Sequence, residues 1–125
     1  MMYQVILCLG SNKDAETHIQ KARELIAQQF PDMLFSESLW TSPIDIESPD
    51  FLNCIAWGKT EMDYPRLLEQ TKKIEKQIGD RKHLRKKGQI VIDIDILMYD
   101  GKKYHLSDWE REYVRQLVAQ NMKDL

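Results

Sequence analysis

Two cysteines are all that this chain of 125 residues carries, and Cys8 and Cys54 stand far apart in it. There is no C-x-x-C pair, which argues against structural zinc. Each cysteine sits in an apolar, strand-like run, so both read as buried, reduced thiols of a cytoplasmic protein. No apolar run approaches the ~20 residues that a bilayer-crossing helix needs. The N-terminus lacks the basic-then-apolar order of a signal peptide. An excess of one charge is missing too. With 18 Lys and Arg against 20 Asp and Glu the formal net charge is -2, so no bulk attraction to nucleic acid is implied. Internal repeats, low-complexity stretches and linkers are absent, and residues 1–125 are expected to form one domain with a single core. The remainder, 42% apolar and 30% charged, is ordinary for a globular protein in water.

Against that background the run Ile90-Val91-Ile92-Asp93-Ile94-Asp95-Ile96-Leu97 stands out. Its period of two predicts a β-strand. Residues i and i+2 of a strand point to the same face, roughly 7 Å apart, so Asp93 and Asp95 project side by side. Two neighbouring carboxylates in partly dry surroundings do not both stay ionised unaided. A divalent cation resolves the conflict, and Mg²⁺ held in this way in turn holds substrate phosphates. Upstream, Arg81-Lys82-His83-Leu84-Arg85-Lys86-Lys87 contains no acidic residue and reads as a cationic loop. An acidic cation site beside a cationic loop suits a nucleoside triphosphate. The plainer alternative is an edge strand guarded by charge next to a solvated loop.

Met2–Leu9 predicts a first strand, ended by the turn signal Gly10-Ser11-Asn12. From about Asp14 a helical stripe of Ile19, Ala22, Ile26 and Phe30 follows, closed by Pro31. Met33–Trp40 predicts a second strand with Phe35 and Leu39 on one face. Thr41–Asp50 forms a long loop, a type that is often functional, and Phe51–Thr60 a third strand. Asp63 caps a helix with Pro65 early in it. Leu67, Leu68, Thr71, Ile74 and Ile78 make its apolar stripe, and Gly79 ends it. Asp100-Gly101 marks a turn. A last helix is expected from Ser107 or Asp108 towards Met122, with Tyr113, Leu117 and Val118 facing inward. The order is α+β, a ferredoxin-like β-α-β-β-α-β sandwich with a mainly antiparallel sheet, two helices packed on one face and an added C-terminal helix. That fold serves enzymes, metal carriers and RNA-binding domains alike, so it does not define a function.

Gly10-Ser11-Asn12 at the end of the first strand, Ser42-Pro43 in the long loop, Phe51-Leu52-Asn53 opening the third strand, Glu75 and Gly79 before the basic segment, and Asp93-Ile94-Asp95-Ile96-Leu97 after it occur in one order and spacing. Together they resemble the 6-hydroxymethyl-7,8-dihydropterin pyrophosphokinase family of folate biosynthesis, continuously over about Val5–Leu97. The resemblance implies transfer of diphosphate from ATP to the pterin's hydroxymethyl oxygen, with release of AMP. By position, Asp93 and Asp95 would ligate two Mg²⁺ ions, and Lys82 would act on the phosphates. Asn53 would read the pterin's polar edge, Phe51 and Pro43 would flank it, and the Ser42 backbone would hydrogen-bond it. Ile96 would touch the adenine. With a gap downstream, His105 and Arg111 would contact ATP phosphates and Tyr113 would stack on the pterin. The plain alternatives are a satisfied strand amide for Asn53, core packing for Phe51 and Tyr113, a simple turn at Ser42-Pro43, and a surface helix charge for Glu75.

The family pattern is not met everywhere. Asp80 stands where an Arg is usual, and Lys82 replaces a second Arg, keeping its charge but not its bidentate fork. Lys87-Gly88-Gln89-Ile90 replaces a Trp-Gly-Pro-Arg stretch, Lys72 stands for a Gln, and the chain is shorter at its C-terminal end. These departures leave a second reading open: a homologue that binds pterin or nucleotide with little catalysis. An RNA-binding domain on the same fold is a third, opposed by two carboxylates where such domains display aromatics. No nucleic-acid or membrane partner is expected, and the chain is expected to be a monomer or homodimer.

Overall fold

The computed structural model of the protein describes residues 1–43 and 48–122; the middle of the loop expected over Thr41–Asp50 lies outside them. Strand β1 (Tyr3–Ser11) leads to helix α1 (Ala15–Gln29), with Pro31 just beyond it. Two short strands follow, β2 (Leu34–Phe35) and β3 (Leu39–Thr41), then the long strand β4 (Phe51–Thr60). Helix α2 (Tyr64–Ile78) starts at Asp63, whose carboxylate accepts from the Arg66 backbone N–H, and Gly79 ends it at a positive φ of 123°, a conformation that suits glycine. The one-turn helix α3 (Lys82–Lys86), strand β5 (Asp93–Tyr99) and strand β6 (Lys102–Lys103) come next. A 3₁₀ turn (Asp108–Glu110) and helix α4 (Glu112–Asn121) complete the described chain. Among the described residues no helix is long and apolar enough to cross a membrane.

β1 runs at the centre, antiparallel to β4 on one side and to β5 on the other. The order across the sheet is β2-β4-β1-β5-β6, with β3 also paired to β4. This is the mainly antiparallel, ferredoxin-like arrangement that the order of elements predicts. Strand periodicity then divides the side chains into two cores. Val5, Leu7 and Leu9 of β1, Leu52, Cys54 and Ala56 of β4, and Ile94 and Ile96 of β5 pack against Ile19, Ala22 and Ile26 of α1 and Leu67 and Ile74 of α2. On the opposite face a smaller cluster joins Ile6, Cys8, Leu97 and Met98 to Val114 of α4. A fully buried aliphatic side chain contributes about 1.5–3 kcal/mol relative to exposure. The helix-side core is the larger one and carries most of the stability, which leaves the opposite face free to hold a cleft.

Several local expectations differ from the structure. The strand expected over Met33–Trp40 is two pieces, because Ser36 interrupts it. Its backbone N–H donates to the Ile55 carbonyl, while its hydroxyl accepts from the Ile55 backbone N–H at 2.9 Å. A side-chain oxygen thus replaces one rung of the ladder and shifts the phase. Phe35 packs on the helix-side core, whereas Leu39 lines a groove with Tyr113, so the two do not share a face. Leu68 is exposed rather than part of the α2 stripe. Strand β5 begins at Asp93, not Ile90. The stretch before it is tied to β1 by Asn12, whose side chain accepts from the Ile90 N–H at 2.7 Å and donates to the Gly88 carbonyl at 2.8 Å. The cationic loop coils into α3. The final helix starts only at Glu112, since Arg111 is extended between the 3₁₀ turn and α4.

Candidate active site

β1, β4 and β5 lie side by side, so the side chains that alternate away from α1 and α2 converge. Gly10 pairs across the sheet with both Asn53 and Asp93, and Cys8 pairs with Asp95. Cys8, Gly10, Phe51, Asn53, Asp93 and Asp95 floor a cleft of about 250 Å³, walled by Pro43, Asp108, Arg111 and Tyr113. The wall is fixed to the floor by Trp109, whose indole N–H donates to the carbonyls of Leu97 at 3.0 Å and Tyr104 at 3.1 Å. That anchor holds the turn carrying Asp108 and Arg111 over β5.

One end of the cleft is suited to a flat, polar-edged ring. The Asn53 side chain is buried, and its amide donates to Thr41 Oγ1 at 2.8 Å, which orients the carbonyl oxygen. Gly10 makes room for that oxygen: a Cβ at position 10 would stand 3.1 Å from Asn53 Oδ1 and 3.9 Å from the Phe51 ring. Tyr113 closes the side, with the Arg111 guanidinium 4.7 Å from its ring centroid and its hydroxyl 3.8 Å from Cys8 Sγ. Burial pushes the Tyr113 phenol and the Cys8 thiol upward, so both stay protonated and neutral.

The other end is acidic. Burial, with the neighbouring charge of Asp93 and then Asp108, raises the Asp95 carboxyl to about 7. Asp95, His105 and Asp108 bring one donor atom each within 4.8 Å of one another, and His105 Nε2 lies 3.8 Å from Asp95 Oδ1. Carboxylates forced together, with an imidazole beside them, fit a divalent cation. Asp93 is met instead by Arg85, whose Nη2 donates to Asp93 Oδ1 at 3.2 Å and to the Ile92 carbonyl at 3.0 Å. Arg85 Nε donates to Asp80 Oδ2 at 2.6 Å. Burial opposes the charge on Arg85, but Asp80 and Asp93 outweigh it and hold the guanidinium charged.

Glu75 is not the surface charge that the sequence suggests. It is 5% exposed, and its Oε2 accepts from the backbone N–H of Ile94, between the two aspartates, at 2.7 Å. β6 borders β5 only at Met98 and Tyr99, so the Ile94 N–H and the Ile92 carbonyl have no strand partner there. Glu75 and Arg85 supply those partners. Burial raises the Glu75 carboxyl despite the hydrogen bond and the nearby Lys72.

Of the residues expected at the site, Pro43, Phe51, Asn53, Asp93, Asp95, Arg111 and Tyr113 share the cleft, and His105 stands beside Asp95. Tyr113 both packs on the smaller core and lines the cleft. Ser42 lines the adjacent groove formed by Leu39, Trp40 and Tyr113. Lys82 is exposed on α3, outside the cleft lining. Ile96 is 1% exposed within the helix-side core, so its side chain presents no surface to an adenine; alternation in β5 turns it away from the aspartates. Asp108, Cys8 and the Arg85–Asp80 pair are not evident from the sequence.

The chain matches the family model described as 7,8-dihydro-6-hydroxymethylpterin-pyrophosphokinase (HPPK) over residues 6–123. It is 31% identical over 123 residues to a folate synthesis bifunctional protein of Arabidopsis thaliana, covering 89% of this chain and 25% of that protein. It is 30% identical over 105 residues to a 2-amino-4-hydroxy-6-hydroxymethyldihydropteridine pyrophosphokinase of Haemophilus influenzae, covering 81% of this chain and 65% of that one. A mitochondrial folate synthesis bifunctional protein of Pisum sativum is 31% identical over 122 residues, with 89% and 24% covered. The chain thus spans less than two thirds of the length of each of these relatives. It belongs to the 7,8-dihydro-6-hydroxymethylpterin-pyrophosphokinase family.

Proposed function

We propose that the protein transfers diphosphate from ATP to 6-hydroxymethyl-7,8-dihydropterin, releasing AMP, as a folate-pathway enzyme. The observation that carries this reading is the cross-strand alignment of Asn53 and Asp93 on either side of Gly10. It sets a site for a polar ring edge next to the acidic end of the same cleft. The hydroxymethyl oxygen forms a bond to the β-phosphorus as the bond from that phosphorus to the α–β bridging oxygen breaks; the hydroxyl proton is lost and AMP departs.

In this reading Asn53 pairs with the pterin edge, Phe51, Pro43 and Tyr113 enclose its ring, and the Ser42 backbone hydrogen-bonds it. Arg111 and His105 take ATP phosphates, with Lys82 on α3 as a further charge. Asp93 and Asp95 are the residues that would hold Mg²⁺, which when bound supplies charge neutralisation of the triphosphate and acidifies the attacking hydroxyl. The protein's own part is alignment and a fixed electrostatic frame. The rigid floor of three paired strands serves alignment, and Glu75 and Arg85 brace the acidic strand from behind. The buried, neutral Cys8 and Cys54 fit a reducing compartment, and we assign the chain to the cytoplasm, acting on small molecules without a nucleic-acid or membrane partner.

The test is AMP release from ATP with Mg²⁺ and the pterin, run for the wild type beside Asp93→Ala/Asp95→Ala whose fold is verified by circular dichroism. AMP from the wild type alone supports the reading. A folded wild type that binds the pterin and makes no AMP would turn it towards a binding homologue.

A further inference from the structure

We propose that the guanidinium of Arg85 takes the place of one of the two divalent cations at the Asp93–Asp95 pair, so that this chain holds a single cation, on the Asp95 side. The inference rests on the reading of the carboxylates as a cation site, but not on the transfer reaction.

The two aspartates are chemically unequal. Asp93 Oδ1 has a cationic partner in Arg85 Nη2 at 3.2 Å. Asp95 has none of comparable strength: its neighbouring base is His105 at 3.8 Å, and Asp108 crowds it with a further carboxylate. The unmet demand for positive charge therefore lies at Asp95.

Arg85 is also not free to move away when a ligand arrives. Its Nε is bound to Asp80 Oδ2 at 2.6 Å, its Nη2 reaches the Ile92 carbonyl at 3.0 Å, and Glu75 Oε2 lies 3.9 Å off. Asp80 is largely buried, and its Oδ1 already has no hydrogen-bond partner among the described residues. Withdrawing Arg85 would strand that carboxylate and a strand carbonyl as well, a costly outcome for buried groups. A planar fork with several fixed partners behaves as part of the frame. A second cation at Asp93 would have to displace it or accept its repulsion at close range.

Native mass spectrometry of the full chain, loaded with Mn²⁺ and a non-hydrolysable α,β-methylene analogue of ATP, counts ions per complex. One Mn²⁺ is expected in the wild type and two in Asp80→Asn/Arg85→Gln, a variant that removes the pair together and leaves no buried carboxylate stranded. Two ions in the wild type, or none, would overturn the proposal whatever the variant does. A variant with wild-type circular dichroism that still binds one ion would overturn it too. Absence of AMP release from a protein with the expected ion counts would sink the transfer reaction and leave this inference intact. AMP release from a wild type that holds two ions would do the reverse.

Discussion

Glu75 Oε2 accepts the Ile94 backbone N–H at 2.7 Å, from a helix on the opposite face of the sheet to the cleft. The bond ties down the strand midway between Asp93 and Asp95, so a helix residue outside the cleft lining braces the segment that carries both carboxylates. Glu75→Ala leaves the N–H unmet and is expected to cost about 1–3 kcal/mol of stability. Glu75→Gln keeps an acceptor and is expected to recover most of that loss. Urea unfolding of the three proteins measures it, and AMP release should fall more in the alanine variant than in the glutamine one. Equal stability in all three would mean that the bond carries no weight.

The acidic end predicts a pH dependence with a definite sign. Asp95 titrates at about 7 when folded and near 4 when unfolded, so the folded state binds the extra proton between those values. Its contribution to stability is therefore largest at low pH and is lost as pH rises from about 4 through about 7. In metal-free buffer the stability of wild type relative to Asp95→Asn should fall over that window by up to about 4 kcal/mol, about 1.4 kcal/mol for each pH unit between the two values. Thermal melts of both proteins across the range, repeated with Mg²⁺, are the measurement. Added Mg²⁺ should restore wild-type stability at pH 8 and leave the variant nearly unmoved. A difference between the two proteins that does not vary with pH would contradict the assignment.

Gly10 is needed for space rather than for backbone freedom. Gly10→Ala brings a methyl within 3.1 Å of Asn53 Oδ1, while the amide is held from behind by Thr41. The oxygen that would meet the pterin is pushed from its position. We expect the KM for the pterin to rise roughly tenfold, equivalent to about 1.4 kcal/mol, with the KM for ATP little changed. Steady-state kinetics against each substrate separates the two, and a change confined to ATP would refute the role given to Asn53.

The parts of the fold that periodicity governs were readable from the chain. The alternation of Ile90–Leu97 put Asp93 and Asp95 on one face, and the 3.6-residue stripes located α1 and α2. What failed did so where a side chain replaced the backbone. Ser36 takes over a ladder rung from Ile55, which breaks the strand and turns Leu39 to the other face. Asn12 ties down Gly88 and Ile90, which keeps them out of β5. Glu75 looked like a surface charge because helix spacing reports a face, and its partner, a strand N–H with no neighbouring strand, appears only when the sheet edge is known. Arg85 was hidden for the same reason. Its three anchors come from Asp80, Ile92 and Asp93, and only the folded chain brings them around one guanidinium.

In the proposed reaction diphosphate moves as a unit at the Asp93–Asp95 end of the cleft. ATP radiolabelled at the β-phosphorus, incubated with Mg²⁺, the pterin and the enzyme, tests it most directly. Label is expected on the pterin product, with unlabelled AMP formed in equal amount, and neither from Asp93→Ala/Asp95→Ala. Label retained in ADP, or pterin left unlabelled while ATP is consumed, would contradict it.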